Sequence, residues 1–215
     1  MTTKPFPQAA QTWDQRFGQT EFLFGTEPNA YLESRRKLLS GGKKALAVAD
    51  GEGRNSVWLA KQGLVVDAFD ISPVGVAKAR QLAQRAPVAV NFNVADCDSW
   101  SWQPHAYDYV VAIFVQFADP EMRQRLFANM IKTLKPGGFL ILQGYTPKQL
   151  EFKTGGPGLL DHLYTEELLR SAFAELQMVD LQVYEAVLDE GRQHRGPSAL
   201  VGMVGQKTDA SRNSQ

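Results

Sequence analysis

Ala45-Leu-Ala-Val-Ala-Asp-Gly-Glu-Gly-Arg-Asn55 is the stretch that decides the fold of this chain, together with Val65-Val-Asp-Ala-Phe-Asp70. An apolar run enters a turn at Gly51 and Gly53, helix-forming residues leave it, and a second apolar run ends in the carboxylate of Asp70. This order is typical of a βαβ unit that binds a nucleoside at the turn between strand and helix. The stretch therefore predicts an α/β protein with a ligand at this glycine turn.

The acidity of the turn restricts the class of ligand. A pyrophosphate would face Asp50 and Glu52, and two unit charges about 4 Å apart repel by about 4 kcal/mol at an effective dielectric near 20. Ser56 stands where the dinucleotide pattern has its third glycine, which also disfavours a nicotinamide cofactor. A cationic nucleoside suits the same charges. S-adenosylmethionine is such a ligand, because it carries a sulfonium, an ammonium and a ribose diol that Asp70 can bind.

The composition disfavours several classes of function. Among 215 residues, Lys and Arg together number 23 and Asp and Glu together number 23, so the formal net charge is zero. A chain without net positive charge is not expected to have nucleic acid as a partner. Cys97 is the single cysteine and the three histidines are scattered, which predicts neither an internal disulfide nor a metal site. The sequence contains no apolar stretch of membrane-spanning length and no secretory leader. We expect a cytoplasmic protein, without a membrane partner, that is a monomer or a homodimer.

Strands and helices alternate along most of the chain. Ser72-Pro73 and Asp119-Pro120 each combine a capping side chain with a proline that suits the first helical turn. Helices between successive strands predict a doubly wound, mostly parallel sheet. The last two strand-like stretches, 178–188 and 198–206, are joined by the polar residues 189–197, which are too few for a crossover helix. These two strands are therefore expected to pair antiparallel.

The sequence divides into three predicted regions. Residues 1–41 are predicted to be a helical and aromatic lid segment, with a short helix over Trp13–Phe17 and a longer one from Thr26 to about Leu39. Residues 42–207 are predicted to be the main domain, and 208–215 a disordered tail.

Several short motifs resemble one family. They are Trp13-Asp-x-Arg-Phe17, Phe24-Gly-Thr-Glu-Pro-Asn29, Gly51-Glu-Gly-Arg-Asn55, Gly155-Gly-Pro157 and Glu190-Gly-x-x-His194-x-Gly196. Over about residues 42–206 the chain resembles the class I S-adenosylmethionine-dependent methyltransferases, and these motifs resemble the bacterial branch related to tellurite-resistance and thiopurine methyltransferases.

The resemblance carries expectations about fold and chemistry. It implies a Rossmann-like seven-stranded sheet in the order 3-2-1-4-5-7-6, with the last strand antiparallel and helices on both faces. It also implies bound S-adenosylmethionine and methyl transfer to a small-molecule acceptor. The family usually has an acidic residue where this chain has Ala47, and the sequence leaves open whether Asp50 replaces that carboxylate.

The order of elements also selects the candidate site residues. Asp96 either forms an Asx turn or, as the resemblance implies, faces the adenine beside Cys97. His194 is either a solvated loop residue or part of the acceptor pocket, and Tyr145 follows a strand whose carboxyl end faces the crevice of an open α/β sheet. The predicted cofactor-binding residues are Asp50, Gly51, Glu52, Gly53, Arg54, Asn55, Asp70, Ile71, Asp96, Cys97 and Ile113, the predicted catalytic residues are His194 and Tyr145, and the predicted acceptor-binding residues are Trp13, Phe24, Gly25, Phe117 and Arg195.

Three functions follow from these observations. The first is a methyltransferase that acts on a small molecule, and the resemblance slightly favours a thiol or chalcogen acceptor. Positioning of the acceptor supplies most of the rate acceleration in such a reaction, so no dedicated base is required. The second is a non-catalytic S-adenosylmethionine-binding protein, which the replacement at Ala47 motivates. The third is a nicotinamide-dependent oxidoreductase, which Ser56 and the acidic turn disfavour.

Overall fold

The computed structural model describes residues 6–208, with side chains from Gln8 onward. The strands of this part of the chain are β1 (Lys44–Val48), β2 (Val65–Asp70), β3 (Asn91–Val94), β4 (Tyr107–Ile113), β5 (Leu134–Tyr145), β6 (Leu176–Glu190) and β7 (His194–Lys207). They form one seven-stranded sheet in the order β3-β2-β1-β4-β5-β7-β6. The predicted fold is therefore confirmed. Most of the predicted tail lies outside the described residues.

Helices and turns connect these strands. The α-helices of the described residues are α1 (Phe6–Phe17), α2 (Ala30–Ser34), α3 (Arg54–Lys61), α4 (Pro73–Arg85), α5 (Pro120–Thr133), α6 (Gln149–Phe152) and α7 (Glu166–Ala172), and one-turn 3-10 helices occur at Arg36–Leu38 and Leu160–His162. The predicted caps are confirmed at two helices. The side chain of Ser72 accepts a hydrogen bond from the N–H of Gly75, and that of Asp119 accepts one from the N–H of Met122.

Strand direction positions the glycine turn. β1 and β2 pair in parallel, as do β2 with β3 and β4 with β5, whereas β7 runs antiparallel to β5. Val48 is the register partner of Phe69, and the N–H of Asp50 donates to the carbonyl of Phe69 at 3.0 Å. The carboxyl ends of β1 and β2 therefore lie side by side, which brings Asp50 and Asp70 to the same edge of the sheet.

Several predicted boundaries were wrong in informative ways. The first helix is longer than Trp13–Phe17, and the second begins at Ala30 with Asn29 as its cap, so Thr26 does not start it. Within β5, residues 135–138 interrupt the pairing with β4, because Leu134 is the partner of Tyr107 and Phe139 is the partner of Tyr109.

The final hairpin also differs from its prediction. Its strands are longer than expected, and only residues 191–193 separate them. His194 and Arg195 consequently begin β7 and do not lie in a loop.

The chain divides into two compact units. The first comprises the described residues through Trp100 together with Asp189–Arg195, and the second comprises Ser101–Leu188 with the described residues from Gly196 onward. The glycine turn, the N-terminal helices and the tip of the last hairpin thus belong to one unit. No helix in residues 6–208 is long and apolar enough to cross a membrane.

Candidate functional site

Asp70 fastens the glycine turn to the start of the next helix. Its Oδ2 accepts a hydrogen bond from the N–H of Gly51 at 2.8 Å, and its Oδ1 accepts one from the N–H of Ser72 at 2.9 Å. The residue is 6% exposed, and burial raises the pKa of its carboxyl to about 6. Each oxygen keeps a lone pair for another donor, which suits a pair of ribose hydroxyls.

Asp50 caps helix α3 from within the turn. Its Oδ1 accepts from the N–H of Ser56 at 3.2 Å, and its Oδ2 accepts from the Ser56 hydroxyl. Burial of the carboxyl raises its pKa to about 7, and the charge of Asp70 adds to this effect. Two buried carboxyls at one turn fit a cationic ligand, since a positive charge offsets the cost of ionising them. The two carboxyl groups of the turn therefore fit S-adenosylmethionine better than a pyrophosphate.

The two glycines of the turn have different roles. A Cβ on Gly53, whose φ is +90°, would lie 2.6 Å from the Cβ of Ala79 on α4. Gly53 thus permits close packing of α3 against α4. A Cβ on Gly51 would lie 3.3 Å from the ring of Phe17, so the N-terminal helix covers this glycine.

Glu52 anchors the N-terminal segment to the turn. Its Oε1 lies 2.5 Å from the Nζ of Lys78, and its Oε2 accepts from the N–H of Leu23 at 2.7 Å. Both carboxylate oxygens are thus engaged by the protein, and the structure gives this predicted cofactor residue an anchoring role. The Nζ of Lys78 also donates to the carbonyls of Phe17, Gln19 and Glu21.

Helix α1 packs across the glycine turn. Phe17 is 2% exposed, and its ring stacks on Trp13 with centroids 5.3 Å apart. Asp14 accepts from the Ser72 hydroxyl and from the N–H of Val74 at 3.3 Å, which adds a second cap to α4. Asp14 was not among the predicted site residues. It does lie inside the family-like motif Trp13-Asp-x-Arg-Phe17.

Glu190 joins three separate segments of the first unit. Its carboxylate accepts from the Nδ2 of Asn29 at 3.0 and 3.1 Å and from the N–H of Ala30 at 3.0 Å. The Nη2 of Arg54 donates to its Oε2 at 2.7 Å. Asn55 extends the network, because its Oδ1 accepts from the N–H of Asn29 at 3.0 Å. The predicted residue Arg54 thus contacts Glu190 directly, and Asn55 is linked to it through Asn29. Among the sequence patterns, only the motif Glu190-Gly-x-x-His194 had marked Glu190.

His194 is a buried, neutral imidazole. Its ring lies 4.6 Å from that of Phe24, and burial, followed by the charges of Arg54 and Arg16, lowers its pKa to about 3. A group with so low a pKa is a weak general base at neutral pH, which counts against the catalytic role predicted for it. Arg195 is exposed, and its Nε lies 3.5 Å from the Oδ1 of Asp189.

Phe24 and Gly25 lie against the tip of the last hairpin. A Cβ on Gly191 would come within 2.5 Å of the carbonyl carbon of Phe24 and 2.6 Å of the nitrogen of Gly25. The N–H of Arg192 donates to the carbonyl of Leu23 at 2.9 Å. Both predicted acceptor residues are therefore held by backbone contact with residues 191–192.

The segment after β3 forms a closed turn. The Oδ1 of Asp96 accepts from the N–H of Ser99 at 2.6 Å, so the Asx-turn alternative is present in the structure. Cys97 is buried, and burial raises the pKa of its thiol, which makes it a poor nucleophile. Ile71 is half-buried directly after Asp70.

Three predicted residues belong to the second unit. Tyr145 is 1% exposed and stacks on Phe114 with centroids 4.7 Å apart, inside a cluster that includes Leu163 and Leu200. This burial indicates a packing role and counts against catalysis. Phe117 is 36% exposed after the end of β4, and Ile113 is the half-buried last residue of that strand.

Comparison with known proteins identifies the domain. Residues 45–138 match the family model described as "Methyltransferase domain". Over 135 residues the chain is 26% identical to the ubiquinone biosynthesis O-methyltransferase of Coxiella burnetii, covering 63% of this chain and 57% of that protein. The chain thus spans little more than half the length of this curated relative.

Solved structures share the whole architecture. An S-adenosylmethionine-dependent methyltransferase from Methanosarcina mazei superposes with a TM-score of 0.68 at 20% identity, over 85% of this chain and 99% of that one. The N-methyltransferase NodS from Bradyrhizobium japonicum, in complex with S-adenosyl-L-homocysteine, superposes with a TM-score of 0.68 at 15% identity, over 93% and 98%. Residues 45–138 therefore match a methyltransferase domain, and the seven-stranded sheet has the fold of solved S-adenosylmethionine-dependent methyltransferases.

Proposed function

We propose that this chain binds S-adenosylmethionine at the glycine turn and transfers its methyl group to a small-molecule acceptor. The observation that carries the proposal is the pair of buried carboxyls, Asp50 and Asp70, whose pKa values are raised to about 7 and about 6. A buried carboxyl is costly to ionise unless a cation lies nearby. The methyltransferase domain matched over residues 45–138 supports the same ligand.

The side chains of the first unit have separate roles in this proposal. When bound, the cofactor supplies an electrophilic methyl group on its sulfonium. Asp70 accepts hydrogen bonds from the ribose hydroxyls with the lone pairs that Gly51 and Ser72 leave unused. Helix α1, held over the turn by Asp14 and Phe17, serves as the lid that excludes water.

A soft acceptor suits the groups around the hairpin tip. His194 is neutral, and its pKa of about 3 makes it a weak base. A thiol or selenium nucleophile reacts with little help from a base, whereas a phenol or alcohol depends on deprotonation more strongly. We therefore favour a thiol or chalcogen acceptor over an oxygen acceptor. The O-methyltransferase among the relatives makes an oxygen acceptor the competing choice.

A non-catalytic S-adenosylmethionine-binding protein is the second candidate. Ala47 favours it, because this residue is 1% exposed and packs in an apolar cluster with Val57 and Ala68. No carboxylate occupies that position of β1 to assist the cofactor.

Binding and product formation test the two candidates separately. Calorimetry with S-adenosylmethionine, S-adenosylhomocysteine and NAD should detect the first two ligands and not NAD. Binding of NAD alone would contradict both candidates. Product detection over thiols, selenite, tellurite and phenols then separates them, since a cofactor-binding protein that methylates none of these acceptors is the second candidate.

A further inference from the structure

Strand β6 presents an exposed apolar face at the edge of the sheet. It is the last strand in the sheet order, so β7 is its only strand neighbour among residues 6–208. Val179, Val183 and Val187 of this strand are 47%, 54% and 78% exposed. They follow one another at intervals of four residues, and residues separated by an even number of positions lie on the same face of a strand. The three side chains therefore form one valine row.

The opposite face of β6 packs inside the second unit. Leu188, Tyr184 and Ala186 join the apolar cluster that includes Leu200. The Nε2 of Gln143 donates to the hydroxyl of Tyr184 at 2.6 Å. These contacts fix which face of the strand points inward, so the valine row points outward and lies exposed along the edge.

The edge lacks the features that usually protect an unpaired strand. β6 comprises the 15 residues Leu176–Glu190 and contains no proline, glycine, lysine or arginine. Edge strands of monomeric proteins are usually short, or are interrupted by proline, a bulge or a lysine. Glu185 is the one charged residue between the valines on their face, and the Nζ of Lys148 lies 2.5 Å from its Oε1. A long apolar edge of this kind is typical of a strand that pairs with another strand.

The sequence of β6 is complementary to itself. Val183 is the midpoint of Leu176–Glu190. When two copies pair antiparallel about this residue, the strands overlap over their whole length. Val183 then lies opposite Val183 of the second copy, and Val179 lies opposite Val187 in both directions. Directly opposed β-branched side chains stabilise antiparallel pairs, so the valine row matches its own copy.

The charges of β6 favour the same register. With the pair centred on Val183, Asp180 lies opposite Ala186 and Glu185 lies opposite Leu181, so no carboxylate of the strand opposes another. A pair centred on Asp180 or on Glu185 would place two carboxylates directly opposite each other, which is destabilising. The charge pattern thus selects the register that the valine row also selects.

We propose that β6 is a dimerisation surface whose partner is a second copy of this chain. The two strands pair antiparallel about a two-fold axis at Val183, which joins two seven-stranded sheets into one. One pair of strands buries less than the roughly 1,200 Å² of a standard interface. We therefore expect a weak dimer with a dissociation constant of about 1–100 μM. The inference concerns assembly and does not depend on the ligand of the glycine turn.

Sedimentation of the purified full chain tests the surface. The wild type should dimerise with rising concentration between about 1 and 200 μM. Val183→Lys places two ammonium groups opposite each other and should raise the dissociation constant at least about tenfold. Val65→Lys is the matched control, because Val65 is a valine of β2 with a similar exposure of 57%, and it should dimerise like the wild type. Circular dichroism checks that both variants fold.

Cysteine cross-linking tests the register without disturbing the charge. Val183→Cys should form a disulfide-linked dimer under mild oxidation, because opposed residues of antiparallel strands bring their Cβ atoms to about 5 Å. Val179→Cys alone should not cross-link, since the register places its two copies about 26 Å apart. An equimolar mixture of Val179→Cys and Val187→Cys should cross-link. The native Cys97 is buried and is common to every sample.

Several outcomes would overturn the inference. One is a wild type that stays monomeric throughout the concentration range, and another is a dimer that Val183→Lys leaves intact. Cross-linking of Val179→Cys with itself would overturn the two-fold axis at Val183, and this result can be obtained even if Val183→Lys fails to fold. A monomer that binds phosphatidylcholine vesicles through the same valine would assign the face to a membrane surface and would also overturn the dimer.

Discussion

The carboxylate of Asp70 and the backbone N–H of Gly51 form a hydrogen bond of 2.8 Å that ties the end of β2 to the glycine turn after β1. The bond links the ends of two parallel strands. It fixes the turn in a position where the same carboxylate can still accept a hydrogen bond from a ligand. Asp70 is thereby both a structural residue and a candidate ligand-binding residue. A substitution at such a residue is informative only when the fold and the affinity are measured together.

Asp70→Asn is predicted to weaken S-adenosylhomocysteine binding by about 1.5–3 kcal/mol, because the variant loses a charged acceptor for the ribose hydroxyls. The amide retains an oxygen for the N–H of Gly51 or Ser72, so the fold should persist. Calorimetry gives the affinity and circular dichroism the fold. Asp67→Asn is the matched control, because Asp67 lies on the same strand and pairs with Lys44. An Asp70→Asn protein of normal affinity removes this residue from the site.

Asp50→Asn is predicted to weaken S-adenosylmethionine far more than adenosine, which has no ammonium group. The expected selective loss is about 1–3 kcal/mol, the usual size for one hydrogen bond to a charged group. Calorimetry with the two ligands measures it directly. Equal losses for both ligands would mean that Asp50 acts only as the cap of α3 through Ser56.

The pH dependence of stability should differ between the wild type and Asp50→Asn. Burial raises the pKa of Asp50 from 3.8 to about 7, so the folded state binds this proton more tightly than the unfolded state. The stabilisation that the proton provides is complete below about pH 4 and is lost as the pH rises through 7. The wild type must be compared with Asp50→Asn, because His194 changes the stability of both proteins. Its lowered pKa makes stability rise with pH below about pH 6.5, which is opposite to the effect of Asp50.

We therefore expect the Tm of ligand-free Asp50→Asn, minus that of the wild type, to increase between pH 5 and 8. Thermal unfolding at several pH values measures this difference. Over the same range the affinity of the wild type for S-adenosylmethionine should rise, since the ionised carboxylates attract its positive charges. A Tm difference that is independent of pH would show that Asp50 titrates at its ordinary pKa.

Gly53→Ala is predicted to destabilise the protein by two separable effects. Its φ of +90° is unfavourable for alanine, and its new Cβ would meet Ala79 at 2.6 Å. Gly42→Ala isolates the first effect, because Gly42 has a φ of +77° and a Cβ added to it would meet no atom within 4 Å among the described residues. We expect about 1 kcal/mol for Gly42→Ala and about 1–3 kcal/mol more for Gly53→Ala. Chemical denaturation measures both, and equal losses would argue against the close packing of α3 on α4.

Ala49→Gly is predicted to stabilise the fold. Ala49 has a φ of +48°, a left-handed conformation that costs a residue with a side chain roughly 1–2 kcal/mol. Glycine relieves this strain but loses more entropy on folding, about 0.5–1 kcal/mol. The net gain should lie between about 0 and 1.5 kcal/mol in denaturant unfolding. A destabilised variant would mean that the methyl group of Ala49 makes packing contacts worth more than the strain.

Local patterns predicted the parts of the fold that depend on neighbouring residues. The glycine turn, the carboxylate of Asp70 and the caps at Ser72 and Asp119 each lie within a few residues of the element that they define, so the sequence displays them directly. The antiparallel hairpin followed from the length of its connection alone. The sheet order came from the family resemblance and was confirmed.

The sequence did not reveal interactions that depend on distant pairing. Glu190 meets residues of α3 and of the segment before α2, and no local pattern couples positions so far apart. The packing role of Gly53 depends on where α4 passes, and the low pKa of His194 depends on burial beneath Phe24. The motifs marked several of these positions, but only the packing explains what their side chains contact.

The contacts of Glu190 set an order in which the site can be assembled. Asn29 and Arg54 leave the ribosome well before their shared carboxylate, which lies 161 and 136 residues later. A nascent chain that has completed β1 to β5 therefore still lacks the partner that holds the N-terminal segment and Arg54. The first and second strands can pair during synthesis, but the candidate site is completed only after translation reaches the last hairpin.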